Sequence, residues 1–131
     1  MRAYHINEKG NEITRMIAGQ NKFIANFKNL TSRKEIIESI TTSNVLMITE
    51  QNFDFLLKSS INIKCMYGDI MEIYNANNIN HYMTINSSDV KFKLQYLKSN
   101  FPNVINNVND EILASFINMS RETFVRHKKI I

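Results

Sequence analysis

From Arg121 to Ile131 the chain carries four cations, Arg121, Arg126, Lys128 and Lys129, against the single acid Glu122. An arginine guanidinium presents a fork of donors that fits the O6 and N7 acceptors of guanine. A glutamate accepts from the N4 amine of cytosine, and both of these base edges face the major groove. Ser120, just ahead, is a favourable helix N-cap, because its hydroxyl can accept from the free amides of the first turn. A helix begun there holds Arg121 and Glu122 in its first turn and Arg126 four to five residues on, and a recognition helix reads bases from its N-terminal residues. Arg121, Glu122 and Arg126 are therefore candidate base contacts. His127, Lys128 and Lys129 follow as candidate phosphate contacts, which would carry the salt dependence of binding.

Other chemistries find little support. Cys65, His5, His81 and His127 are far apart in sequence, unlike the clustered ligands of zinc or iron–sulfur sites. No Ser/His/Asp, Cys/His, phosphate-loop or dinucleotide pattern occurs, so no catalytic residue, no metal ligand and no enzyme activity are expected.

The elements that must position the basic helix precede it. Val108, Ile112, Leu113, Phe116 and Ile117 recur at helical spacing and mark one buried face. Ala114 is small, as a close helix crossing requires. Asn118 tolerates the left-handed backbone that ends a helix. A helix over residues 108–117, a turn at 118–120 and a helix from 121 make a helix-turn-helix. The same residues also fit a plain amphipathic hairpin with a solvated basic face, since cations favour helix C-termini. The Ser120-Arg121-Glu122-Thr123 run weighs toward DNA.

That run, with Arg126, resembles the recognition helix of the CRP/FNR transcription regulators, and Asp110-Glu111-Ile112-Leu113-Ala114-Ser115-Phe116-Ile117 is similar to their first motif helix. The resemblance implies base contacts at Arg121, Glu122 and Arg126 and a phosphate contact at Thr123. It extends upstream: Arg2 to Ile6, Asn7 to Glu12 and Ile13 to Ile17 resemble the family's mid-roll hairpin, and residues 61–85 fall where the family has its dimerisation helix. Leu94-Gln95-Tyr96-Leu97 ahead of Phe101-Pro102 is most similar to regulators of the bacterial Bacteroidetes branch. Homodimerisation, double-stranded DNA and RNA polymerase as partners are what this resemblance implies.

At 131 residues, with a formal net charge of +4, the chain has room for one domain or a domain with a small appendage. No apolar run approaches a membrane span of ~20 residues, and Met1-Arg2-Ala3-Tyr4-His5 lacks the apolar core of a signal peptide, so no membrane partner is expected. A lone cysteine makes a cytoplasmic location the default. The expected fold class is α+β: a partial antiparallel β-roll of cupin-like, cyclic-nucleotide-binding-like type over residues 1–60, a long dimerisation helix over 61–85, and a helix-turn-helix domain over 86–131.

Within the first part, Tyr4 and Ile6 alternate with polar neighbours, and Gly10 supplies the turn to Ile13–Ile17. Phe23 to Phe27 reads as a helical turn, and residues 35–40 and 44–48 as a strand pair. Thr49 caps a helix over 50–58. In the long helix Ile63, Met66, Ile70, Ile73 and Asn77 step by three and four, the pattern of a coiled-coil seam with one polar member. Tyr67, Met71 and Tyr74 form an adjacent stripe. Asn86 to Asp89 ends this helix and caps the next, and Pro102 leads into the motif.

The family's ancestral effector is cyclic AMP, held by a Gly-Glu pair and an Arg-Ser or Arg-Thr pair. Alignment on Phe23 to Phe27 sets Ala25 and Asn26 in place of Gly-Glu, and Arg33-Lys34 in place of Arg-Ser. Asn26 lacks the ribose-binding charge and Lys34 replaces the small hydroxyl, so cyclic AMP is disfavoured and no cofactor is expected. Asn26, Arg33 and Lys34 remain the candidate effector contacts, with Arg33 able to pair with an anion. The family's early roll strands have no counterpart ahead of Arg2, and little chain follows residue 127 to form a wing. A fragment, a gap covered by neighbouring chains, or a different packing of the strands are the alternatives. The expected function is sequence-specific transcription regulation on a pseudo-palindromic operator. The alternative is a ligand-sensing or protein-interaction module of the same shape that does not bind DNA.

Overall fold

The computed structural model describes residues 1–24 and 35–130. Among these residues it is an α+β structure of three strands and six α-helices. The strands β1 (Arg2–Ile6) and β2 (Glu12–Ile17) form the hairpin expected from alternation. The side-chain carbonyl of Asn7 accepts from the amides of Lys9 and Asn11 at 3.0 and 2.9 Å, and Gly10 adopts φ +80°, a conformation that costs glycine little. A third strand, β3 (Ile36–Glu38), pairs with the other side of β1, so the antiparallel order is β2-β1-β3.

Arg2 on the central strand joins both flanks. It is 5% exposed; its Nη2 donates to the Glu12 carboxylate on β2, its Nε donates to Glu38 on β3 at 2.6 Å, and its guanidinium lies 4.1 Å from the Tyr4 ring centroid. A buried cation is tolerable only with such pairing.

The expected strand over residues 44–48 does not form. Val45, Leu46, Met47 and Ile48 are exposed and outside any ladder, while the strand at 36–38 takes β1 as its partner instead. A short apolar run carries no period that distinguishes a strand from an irregular segment, which is why the sequence misleads here. Phe23 and Ile24 have no regular structure, and the rest of the expected helical turn, together with Asn26, Arg33 and Lys34, lies outside the described residues.

The helices are α1 (Glu50–Ser59), α2 (Ile61–Asn86), α3 (Val90–Asn100), α4 (Pro102–Ile105), α5 (Asp110–Phe116) and α6 (Arg121–His127), with a 3₁₀ turn at Lys128–Ile130. Side-chain caps start four of them. Thr49 accepts from the Asn52 amide, Asp89 from those of Lys91 and Phe92, Asn109 from that of Glu111, and Ser120 from that of Thr123. Pro102 begins α4, where its missing N–H costs nothing.

Contacts divide the chain into two compact units, Met1–Ser43 with Thr84–Ile131, and Asn44–Met83. The first has a continuous core in which Leu94 and Leu97 of α3, Leu113 of α5, Ile117, and Phe124 of α6 are all fully buried, joined by Ile17 of β2. In the second, the rings of Phe53 on α1 and Tyr67 on α2 meet edge to face at 5.0 Å. No residue from 44 to 83 is buried. Of the expected α2 seam, Ile63 and Ile70 are half-buried, whereas Met66 and Ile73 are more than half exposed. Among the described residues no helix is long and apolar enough to cross a membrane.

Candidate nucleic-acid interface

The basic helix α6 is positioned first by the turn that precedes it. Asn118 adopts φ +51°, the Asn118 amide donates to Ser115 carbonyl at 3.1 Å, and the Met119 amide donates to Ala114 carbonyl at 2.9 Å. These two bonds with a left-handed residue between them are the Schellman arrangement, which satisfies the last carbonyls of α5 and turns the chain sharply. Ser120 then opens α6, its hydroxyl accepting from the Thr123 amide at 3.2 Å and lying 3.0 Å from Thr123 Oγ1.

Lys93 of α3 holds the turn in place. The residue is 7% exposed, and its ammonium donates to the carbonyls of Ile85 at 3.0 Å and Asn118 at 2.9 Å. Burial lowers its pKa. The Asn118 side-chain amide donates to the same Ile85 carbonyl at 3.4 Å. The last turn of α2, the middle of α3 and the α5–α6 turn are thereby joined at one point.

Phe124, with no exposed surface, fixes the rotation of α6 about its axis. With Phe124 inward, Arg121, Glu122, Val125, Arg126 and Lys129 are exposed, and Thr123, His127 and Lys128 are half-buried at the flanks. At 3.6 residues per turn Arg121, Glu122, Val125 and Arg126 span an arc of about 140°, and Lys129 follows in the 3₁₀ turn. Glu122 is ionised at neutral pH. Its carboxyl is held below the usual range chiefly by a hydrogen bond from its own backbone N–H, then by the Ser120 hydroxyl and the charge of Arg121. The arc thus offers two guanidinium forks, one ammonium, one carboxylate acceptor and one apolar side chain.

The flanking residues are engaged differently from the sequence expectation. Lys128 Nζ pairs with the Asp110 carboxylate at 2.6 Å and lies 5.8 Å from the Phe124 ring centroid, so its charge ties α6 to the start of α5. His127 Nδ1 lies 2.9 Å from the Thr123 carbonyl, one turn back along the same helix. Thr123 shares its hydroxyl with Ser120. Arg121, Glu122, Arg126 and Lys129 are the charged residues of the set that stand outward together.

No protein-family model, curated protein or solved structure matches this chain.

Two features of the site were not legible in the motif. Ser115 of α5 faces the sheet: its hydroxyl accepts from the Thr14 amide and donates to the Glu12 carbonyl, both at 2.9 Å, and so completes the outer edge of β2. Val125 carried no charge to draw attention, and only the burial of its neighbour Phe124 shows that it faces out, 47% exposed.

Proposed function

We propose that the chain is a sequence-specific DNA-binding transcription regulator of the CRP/FNR type. In this reading α5, the turn through Asn118 and α6 act as a helix-turn-helix. Two chains pair through α2 and present their α6 helices to successive major grooves about 34 Å apart on a pseudo-palindromic operator. The outward arc of Arg121, Glu122, Arg126 and Lys129, on a helix whose rotation Phe124 fixes, is the observation that carries it. Arg121 and Arg126 would take guanine edges, Glu122 a cytosine amine, and Lys129 a phosphate. Pairing is supported by the second unit, where Ile61, Met66, Ile73 and Ile79 of α2 are all more than half exposed. Apolar surface left in water on this scale favours association. The control of binding by an effector belongs to the same proposal, with cyclic AMP disfavoured.

The test is selection from a random pool of duplex DNA at moderate salt, followed by sequencing. An inverted repeat with half-sites one helical turn apart supports the reading. Arg121→Ala should then lose about 1–3 kcal/mol and relax one base position, whereas Lys129→Ala should weaken all sequences alike and lower the salt slope by about one. Equal losses on selected and random DNA for both variants would refute base reading. The exposed apolar side chains of residues 44–83 also suit a second reading, a ligand-sensing or protein-interaction module without DNA binding. Retention of no DNA, with a thermal shift on adding a metabolite, would favour that module.

A further inference from the structure

Val125 occupies an unexpected place for an aliphatic residue. It lies inside the outward arc of α6 and not at its rim: by helical projection it falls about 40° from Arg121 and about 100° from Arg126, with Glu122 between. It cannot turn inward, because the adjacent Phe124 is wholly buried and sets the rotation of the helix. Nothing local recommends valine here. Its branched Cβ lowers helix propensity relative to alanine, and with 47% of its surface exposed it gains only part of the benefit of burial. What the branch does supply is a single preferred χ1 rotamer, so its two methyl groups point in a fixed direction.

We infer that Val125 is a specificity residue that packs on the C5-methyl group of a thymine in each half-site. The inference rests on the DNA-binding reading proposed above and deepens it. The charged members of the arc assigned to bases all suit G·C pairs, since Arg121 and Arg126 match guanine and Glu122 matches cytosine. None of them can recognise the one apolar feature of the major-groove floor, the thymine methyl, and an aliphatic side chain can. Valine is also short, so it touches the groove floor only where the longer Arg121 and Arg126 already reach base edges on either side. A half-site read by this helix should therefore mix guanine or cytosine positions with one thymine whose methyl group matters.

Deoxyuridine pairs like thymidine but lacks the methyl group, which makes the test direct. Each thymine of the selected half-site is replaced in turn by deoxyuridine in both arms of the operator, and binding is measured with the full chain and with Val125→Ala. At one thymine position the wild-type protein should lose about fourfold per half-site, about sixteenfold for both, as expected for one methyl contact. Val125→Ala should bind the thymine and deoxyuridine duplexes equally at that position and keep its preference at the guanines. Wild-type affinity unchanged within twofold at every deoxyuridine position overturns the inference while leaving the DNA-binding reading intact, and so does an undiminished methyl effect in Val125→Ala. If selection retains no preferred sequence, the DNA-binding reading itself falls and the inference with it.

Discussion

Replacing Ser115 by alanine should loosen the sheet from α5 without touching the outward face of α6. The Ser115 hydroxyl makes two hydrogen bonds of 2.9 Å to the edge of β2, to partners 101 and 103 residues away. Thr14, whose amide would lose its partner, is 3% exposed, so water cannot readily replace the hydroxyl. Two neutral hydrogen bonds at about 0.5–1.5 kcal/mol each set the gross loss at about 1–3 kcal/mol. Alanine returns about 0.5 kcal/mol through its better helix propensity. The net expectation is a destabilisation of about 1.5 kcal/mol, equivalent to a fall in Tm of about 5 °C for a chain of this size. Equilibrium urea unfolding measures the first figure. Native-state hydrogen exchange locates it, since protection of the Thr14 amide should drop more than that of amides between β1 and β3. A change in stability below about 0.3 kcal/mol with Thr14 protection intact would refute the docking of β2 on α5.

Phe124→Ala should cost about 3–5 kcal/mol, as for other wholly buried aromatic side chains, and should abolish any DNA binding together with the cooperative unfolding transition. Asn118→Ala should cost about 1–2 kcal/mol, because alanine bears the full strain of the left-handed backbone at φ +51°; Asn118→Gly should cost less, and thermal melts of the two variants side by side check the order. Lys128→Ala should remove a half-exposed ion pair worth about 0.2–1 kcal/mol while leaving the salt slope of DNA binding unchanged, in contrast to Lys129→Ala. A reduced slope for Lys128→Ala would mean that the pair with Asp110 opens on DNA.

The features legible in the sequence are those determined within a few residues. Asn7 and Gly10 specify the hairpin turn through local hydrogen bonding and a positive φ; Thr49, Asp89 and Ser120 start helices through their own side chains; Asn118 ends α5 in the same local way, although α5 begins after an Asn109 cap and not at residue 108 as expected. The features that escaped depend on residues distant in the chain. Residues 36–38 pair with β1 and not with 44–48, because a run of isoleucines carries no address for its partner. Lys93 looks like a surface cation in sequence, and only the convergence of the Ile85 and Asn118 carbonyls makes it an internal tie. Ser115 reads as an ordinary polar residue of a motif helix until β2 is set against it. The same ignorance of distant partners hid the ion pair of Lys128, which composition alone assigns to a phosphate.

The docking of β2 on α5 also constrains the order in which the protein can assemble. A chain emerging residue by residue can close the β1–β2 hairpin early, but an isolated two-stranded hairpin is marginal in water. The hydroxyl that completes its edge arrives only with residue 115, and the buried aromatic of α6 only with residue 124. Until then Ile17 has no core to enter, because Leu94, Leu97, Leu113 and Phe124 have yet to be made. Folding of the first unit is therefore dominated by contacts across large sequence separations, which slows it and leaves the early strands open to pairing with other nascent chains.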